Sequence, residues 1–209
     1  MTIIQCLLLN DIIALYYYRI IALIMNAEIQ DIIPVLEADG LIILPTDTVW
    51  CLACNALNEK ALSKMFAIRT CEDDFAILMD NYARMKPHIA VLHPKATALV
   101  DYHQRPLTII YNDVKALPEI ALGEDNSIGI QLTKDGFCKT LIGELGAPLA
   151  VMAAHYPNES YPQNFDEINT QLLQAVDYVV KYRREETEKY DLPTMLRIKA
   201  DGELDFLRK

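Results

Sequence analysis

Pro45-Thr46-Asp47-Thr48 places two hydroxyls and a carboxylate on consecutive residues directly after the apolar run Leu41-Ile42-Ile43-Leu44. That run reads as a buried strand. Ligands of open α/β sheets collect at the carboxyl ends of strands, so a loop of short polar side chains there can hold a small amino acid or a nucleotide. The same four residues also suit an Asx or Ser/Thr turn, whose hydroxyls serve only the local backbone. Cys51-x-x-Cys54 invites metal or redox chemistry, but no second pair follows it, and His88, His93, His103 and His155 show no ligand spacing relative to it. Both cysteines therefore read as small buried residues beside the loop. Arg183 and Arg184, followed by Glu185, Glu186 and Glu188, read as a solvated face. No basic stripe is interleaved with aromatics, and there is no Gly-rich phosphate loop or nucleophile elbow.

The elements that must position these residues alternate between short apolar runs and amphipathic stretches, the pattern of layered α/β folds. Ile29, Ile32, Ile33 and Leu36 share a helical face that stops at Gly40; Pro34 fits only near a first turn or a kink. Asn58 is placed to cap a helix whose Leu62, Met65 and Phe66 point one way. Residues 75–79, 107–111, 128–132 and 148–152 read as strands. Asp135 caps a helix closed by Gly146. Residues 164–176 read as a helix and 177–182 as a strand, and two alternating runs about Asp201-Gly202 form a hairpin. Helical stretches are expected around Pro87 and Pro94.

The chain has 209 residues, is 52% hydrophobic and carries a formal net charge of −10. It can bury a sizeable core, and its bulk field repels phosphate, so nucleic acid or nucleotide would need a local basic pocket. Five irregularly spaced cysteines suit a reduced, cytoplasmic protein. Residues 1–25 contain a single acid, Asp11, and a single base, Arg19. They admit three readings: an over-extended reading frame with Met25 as the start, an added apolar helix or strand packed on the domain or a partner, or a membrane anchor. Each mid-span charge would cost about 2.5–3.5 kcal/mol at a bilayer centre, which disfavours the anchor. The expected division is thus an apolar extension over 1–25 and one domain over 26–209.

Within that domain the Pro-Thr-Asp-Thr loop at 45–48, FAILM at 75–79, RPLTII at 105–110, IGI at 128–130, PLAV at 148–151 and NFDEI at 164–168 follow an order and spacing that resemble the Sua5/YciO/YrdC family. The resemblance implies an α/β fold with a twisted mixed sheet, flanking helices and a concave cleft. It also implies threonylcarbamoyl-AMP synthesis from threonine, bicarbonate and ATP, with magnesium accompanying ATP, for modification of tRNA. Some members are described as double-stranded RNA binders. No bound cofactor and no membrane partner are implied.

Carried over by position, the family's loop falls on Thr46, Asp47, Thr48 and the aromatic Trp50, and Thr108 is also retained. Its Lys-x-Arg pair falls on Arg69 and Cys71, with Glu72, Asp73 and Asp74 close by. A strand arginine falls on Gln131, the Thr-Ser-Ala-Asn block on Met152-Ala153-Ala154-His155, and the Pro-Ser-Thr block on Leu192-Pro193-Thr194. Thr46 and Arg69 are the candidates for catalysis. Thr46, Asp47, Thr48, Trp50, Arg69, Thr108, Gln131, His155 and Thr194 are the candidates for binding substrate. His155, in place of an asparagine, could donate to an anion or be an ordinary hydrogen-bonded histidine. The scaffold blocks are intact, whereas groups that would neutralise phosphate are largely replaced. A charge pair at 4 Å is worth about 4 kcal/mol at an effective dielectric of 20, so losing two cations implies a large fall in rate or ATP affinity. The expectation is a diverged member with impaired catalysis; the alternative is a non-catalytic module that binds nucleotide or double-stranded RNA in the same cleft.

Overall fold

The computed structural model describes residues 3–69, 74–89, 92–112, 114–123, 125–199 and 202–209; the side chains of residues 3–15, 17 and 18 lie outside that description. Helix α1 (Ile3–Glu37) leads into β1 (Ile42–Leu44), β2 (Cys51–Asn55), α2 (Glu59–Ile68) and β3 (Ala76–Met79). Two short helices, α3 (Tyr82–Met85) and α4 (Pro94–Tyr102), precede β4 (Leu107–Tyr111), β5 (Ile128–Leu132), α5 (Gly136–Leu145) and β6 (Leu149–Ala153). The chain ends with α6 (Thr170–Gln174), β7 (Tyr178–Val179), β8 (Thr194–Ile198) and β9 (Leu204–Arg208). Among the described residues the nine strands join one mixed sheet in the order β7-β1-β2-β6-β3-β5-β4-β8-β9, the α/β architecture expected.

Alternation along the strands divides the core between two faces. Leu52 and Cys54 of β2 join Leu62 and Met65 of α2 in one cluster. Cys51 and Ala53 point the other way, into a second cluster with Ile29, Ile32 and Leu36 of α1 and Phe137 and Leu141 of α5. Helix ends follow local chemistry. Asn58 accepts from the N–H groups of Lys60 and Ala61, Asp135 accepts from Cys138 N–H, and Gly146 closes α5 at φ 71°. A Cβ on Gly40 would lie 2.5 Å from the Val35 carbonyl oxygen, so only glycine lets the chain turn from α1 into β1 at that distance.

Four details differ from the sequence reading. Residues 51–55 form a strand, β2, that the small residues Cys51, Ala53 and Cys54 disguise. The stretch 164–176 is not one helix: Asn164 caps a single turn, Phe165–Glu167, and Asn169 caps a fresh start at Thr170, because a second Asx cap re-initiates the backbone. The strand at 177–182 shortens to Tyr178–Val179. Pro34 sits in the last turn of α1, not its first.

The apolar N-terminal segment is helical and continuous with the docked part of α1. Tyr16, Ile20, Ile21, Leu23 and Ile24 are exposed, whereas Ile29 and Ile32 are fully buried. Among the described residues no helix is long and apolar enough to cross a membrane.

Candidate functional site

The loop between β1 and β2 is folded around its own threonines. Thr46 Oγ1 donates to the Val49 carbonyl (2.9 Å) and accepts from Thr48 N–H (3.0 Å). The Thr48 hydroxyl lies 2.8 Å from Thr46 Oγ1 and must be the donor, since Thr46 has spent its single proton on Val49. Both threonines are buried. Asp47 reaches across the sheet end: Oδ1 accepts from Gln131 Nε2 (3.0 Å) and Thr133 Oγ1 (3.2 Å), and Oδ2 accepts from Lys134 N–H (2.9 Å). The antiparallel register of β4 and β5 pairs Thr108 with Gln131, and Thr108 Oγ1 donates to Gln131 Oε1 (3.2 Å). Burial raises the Asp47 carboxyl above its usual range despite these donors.

Arg183 closes this network from behind. Its Nη1 donates to the Thr46 carbonyl (2.9 Å) and to Asp135 (3.3 Å), its Nε donates to Glu186 (2.6 Å), and its guanidinium lies 5.0 Å from the Tyr190 ring centre. The residue sits at φ 65°, a left-handed conformation that disfavours a side chain and persists where surrounding contacts hold it. The turn is fastened by Glu28 of α1, whose carboxylate accepts from Lys181 N–H and, at 3.1 Å, from Tyr182 N–H. Arg184 donates to the carbonyls of Val180 and Val179 and lies over Phe165, which packs against the buried Trp50. The solvated-face reading of Arg183 and Arg184 is thereby corrected. Charge pattern alone misreads them because the acids that follow belong partly to the same contacts.

A second cluster lies beyond the ends of α2 and β6. Arg69 makes two parallel bonds to Asp74 (2.9 and 2.8 Å) and a third to the Ala153 carbonyl (3.1 Å); Asp74 also accepts from Ala153 N–H (2.8 Å). Both side chains are almost completely buried. His155 follows in the next turn. Its Nδ1 faces the Tyr156 carbonyl at 2.8 Å, and its Nε2 lies 3.9 Å from Asp74 Oδ2. His155 also walls a cavity of about 620 Å³ with Val49, Glu159, Tyr161, Glu167, Tyr190 and Asp191. Burial pushes the Cys51 thiol up to about 12, which leaves it protonated and unreactive. Among the described residues no group of three or more side chains is arranged to hold a metal ion.

The family model Sua5/YciO/YrdC, described as telomere recombination, matches residues 34–209. A relative from Methanocaldococcus jannaschii is 31% identical over 167 residues, covering 77% of this chain and 75% of its own length. The chain belongs to the Sua5/YciO/YrdC family. A Coxiella burnetii relative named threonylcarbamoyl-AMP synthase is 24% identical over 180 residues, covering 85% of this chain and 95% of its own. In fold, Escherichia coli YciO superposes with a TM-score of 0.75 at 19% identity, over 88% of this chain and 89% of that one. Sua5 of P. abyssi, solved with L-threonine, gives 0.74 at 16% identity over 86% of this chain. This chain spans only about half (53%) of that longer protein.

Against the family pattern, Thr46, Asp47, Thr48, Thr108 and Gln131 converge in one network. Arg69 and His155 converge instead on Asp74. Trp50 is a buried core residue, and its carbonyl accepts from Ala154 N–H at 2.8 Å. Thr194 is buried and pairs with Leu107 in the β4/β8 register, next to Thr108 but outside the Asp47 bonds described above. Cys71 lies outside the described residues. Sequence reasoning missed Glu28, Asp74 as the partner of Arg69, Thr133 and Arg183. For Asp74 the signal was present, an acid five residues after a buried-site arginine; for Glu28 there was none.

Proposed function

We propose that this chain is a threonylcarbamoyl-AMP synthase-like protein in which the family's cleft is kept and adenylate synthesis is impaired. In that reaction the threonine amine attacks the carbon of bicarbonate with loss of water. The carbamate oxygen then attacks the α-phosphorus of ATP and pyrophosphate leaves. Negative charge on the transferring group must be offset by oriented cations. ATP, threonine and bicarbonate would be substrates here, magnesium would accompany ATP, and no bound cofactor is invoked.

The observation that carries the reading is the Arg69–Asp74 pair. The one family cation retained in sequence points its Nη1 and Nη2 at a buried carboxylate and a carbonyl, so its charge is already balanced. Lys134 Nζ donates to the His103 carbonyl (2.6 Å), and Arg183 is bound as described. Acids line the cavity, which supports neither a phosphate-rich ligand nor an RNA duplex.

Pyrophosphate release by the full chain tests this with threonine, bicarbonate and ATP·Mg present or singly omitted. Release is expected to match the threonine-free control. Threonine- and bicarbonate-dependent turnover near the common enzyme range of about 1 per second or above would overturn it. The combined variant Cys71→Arg, Gln131→Arg, Ala153→Ser and His155→Asn is expected to raise the rate.

A further inference from the structure

The sheet ends on β9, whose outer edge carries no strand among the described residues. Lys199 N–H donates to the Glu203 carbonyl (2.9 Å), and the β8/β9 register sets Ile198 opposite Leu204, Arg197 opposite Asp205 and Leu196 opposite Phe206. Hydrogen-bonded and non-hydrogen-bonded pairs alternate along an antiparallel ladder. Glu203 and Asp205 therefore bond inward to β8, while Leu204 and Phe206 turn their N–H and C=O groups to the open edge. The register skips Leu207, a bulge that ends the regular edge there. The sheet's other edge, β7, has only two residues, too short to template a further strand.

The two outward-facing residues also share the strand face turned to α4. Leu204 lines a groove of about 500 Å³ with Lys95, Ala98, Leu99, Tyr102 and His103, and Phe206 follows on the same face. Tyr102 is 82% exposed and Phe206 43%. The polar groups of the lining meet backbone carbonyls: Lys95 Nζ donates to Gly202 (2.5 Å), and His103 Nδ1 lies 2.8 Å from that of Arg105. The floor left to a ligand is apolar. On the opposite strand face Asp205 is exposed.

An open edge beside an apolar groove suits an extended peptide that adds as a strand, main-chain bonds giving affinity and alternate side chains giving specificity. A second copy of β9 is a poor occupant. Antiparallel self-pairing centred on Leu204 sets Asp205 against Glu203 of the second copy, and centring on Asp205 sets that acid against itself; like charges directly opposite are destabilising. Centring on Phe206 brings the bulge into the ladder. Nucleic acid is disfavoured by the same acids and by the net charge of −10.

We propose that β9 and α4 together dock an extended segment of a partner protein, which adds as a strand along residues 203–206 with apolar side chains toward the groove and intervening basic side chains beside Asp205.

A fluorescein-labelled, end-blocked heptapeptide alternating Lys and Val is a suitable probe, titrated into the full chain by anisotropy; an isomer with the same residues in two blocks is the control. Saturable binding of the alternating peptide alone is expected, with backbone amide shifts at Leu204 and Phe206. Phe206→Pro removes an outward donor without touching the β8 ladder and is expected to weaken binding about tenfold; Tyr102→Ala is expected to weaken it about threefold. Thermal melting shows which variants fold. If the proline variant does not, Tyr102→Ala and Asp205→Lys carry the test, the latter shifting preference to a peptide alternating Glu and Val. Equal binding of both isomers, no saturable binding, or binding indifferent to these substitutions in folded protein would overturn the proposal. So would a dimer of the chain that Phe206→Pro dissociates, or a short RNA duplex that shifts the same amides and displaces the peptide.

Discussion

The Asp47 network and the His155 cavity occupy neighbouring ends of the sheet and differ in how their polar groups are matched. Around Asp47, one carboxylate receives three donors, Gln131 is held at both ends of its amide, and both threonine hydroxyls are used within the loop. Around His155 the cavity wall carries exposed carboxylates, while His155 Nε2 is buried without a hydrogen-bond partner, 3.9 Å from Asp74. The loop that sequence marks as chemical is thus largely occupied with holding itself and the strands together. The less distinctive segment at 155–167 supplies much of the cavity wall.

Breaking the wall between the regions should have the largest effect. Asp74→Asn leaves the buried Arg69 without its opposite charge and is expected to destabilise the fold by about 3–5 kcal/mol, read from urea denaturation. A loss below about 1 kcal/mol would mean that the pair is not what fixes Arg69. Next is the strut behind the loop. Arg183→Ala removes the contacts to Thr46 and Asp135 but keeps a side chain at φ 65°, whereas Arg183→Gly removes the contacts and relieves the strain. The glycine variant is expected to be more stable than the alanine variant by about 1 kcal/mol. Equal stability would show that the left-handed turn carries no strain.

The smallest effect concerns pH. Burial raises the Asp47 carboxyl above its usual 3.8 in the folded state. The native protein therefore binds the proton more tightly than the unfolded chain does, and this favourable contribution is complete below 3.8. It is lost as pH rises through the raised folded value. Asp47→Asn abolishes that term, so the stability of wild type relative to the variant is expected to decline with rising pH across this window. A flat difference would place Asp47 in an ordinary solvated setting.

Much of the fold was legible because helix ends and strands carry local signals. Asn58, Asp135 and Gly146 cap as their types predict, and the apolar runs at 107–111 and 128–132 are strands to the residue. β2 was not, because cysteine and alanine have little strand signature when packed on both faces. Thr46, Asp47, Thr108 and Gln131 could be grouped in advance through the family resemblance, and the β4/β5 register is what sets Thr108 beside Gln131. Their roles were not, because the choice between binding a ligand and binding one another depends on distances of about one hydrogen bond. Arg183 and Glu28 were out of reach: one contacts a loop 137 residues away and the other a turn more than 150 residues away, and no local pattern encodes either partner.

The central claim, that this cleft has its nearby cations already balanced and does not hold triphosphate, is tested most directly by titrating ATP·Mg into the full chain by calorimetry. Saturable binding is expected to be absent up to about 1 mM, a Kd that would correspond to only about 4 kcal/mol. A Kd near 1 μM, with pyrophosphate released once threonine and bicarbonate are added, would contradict it.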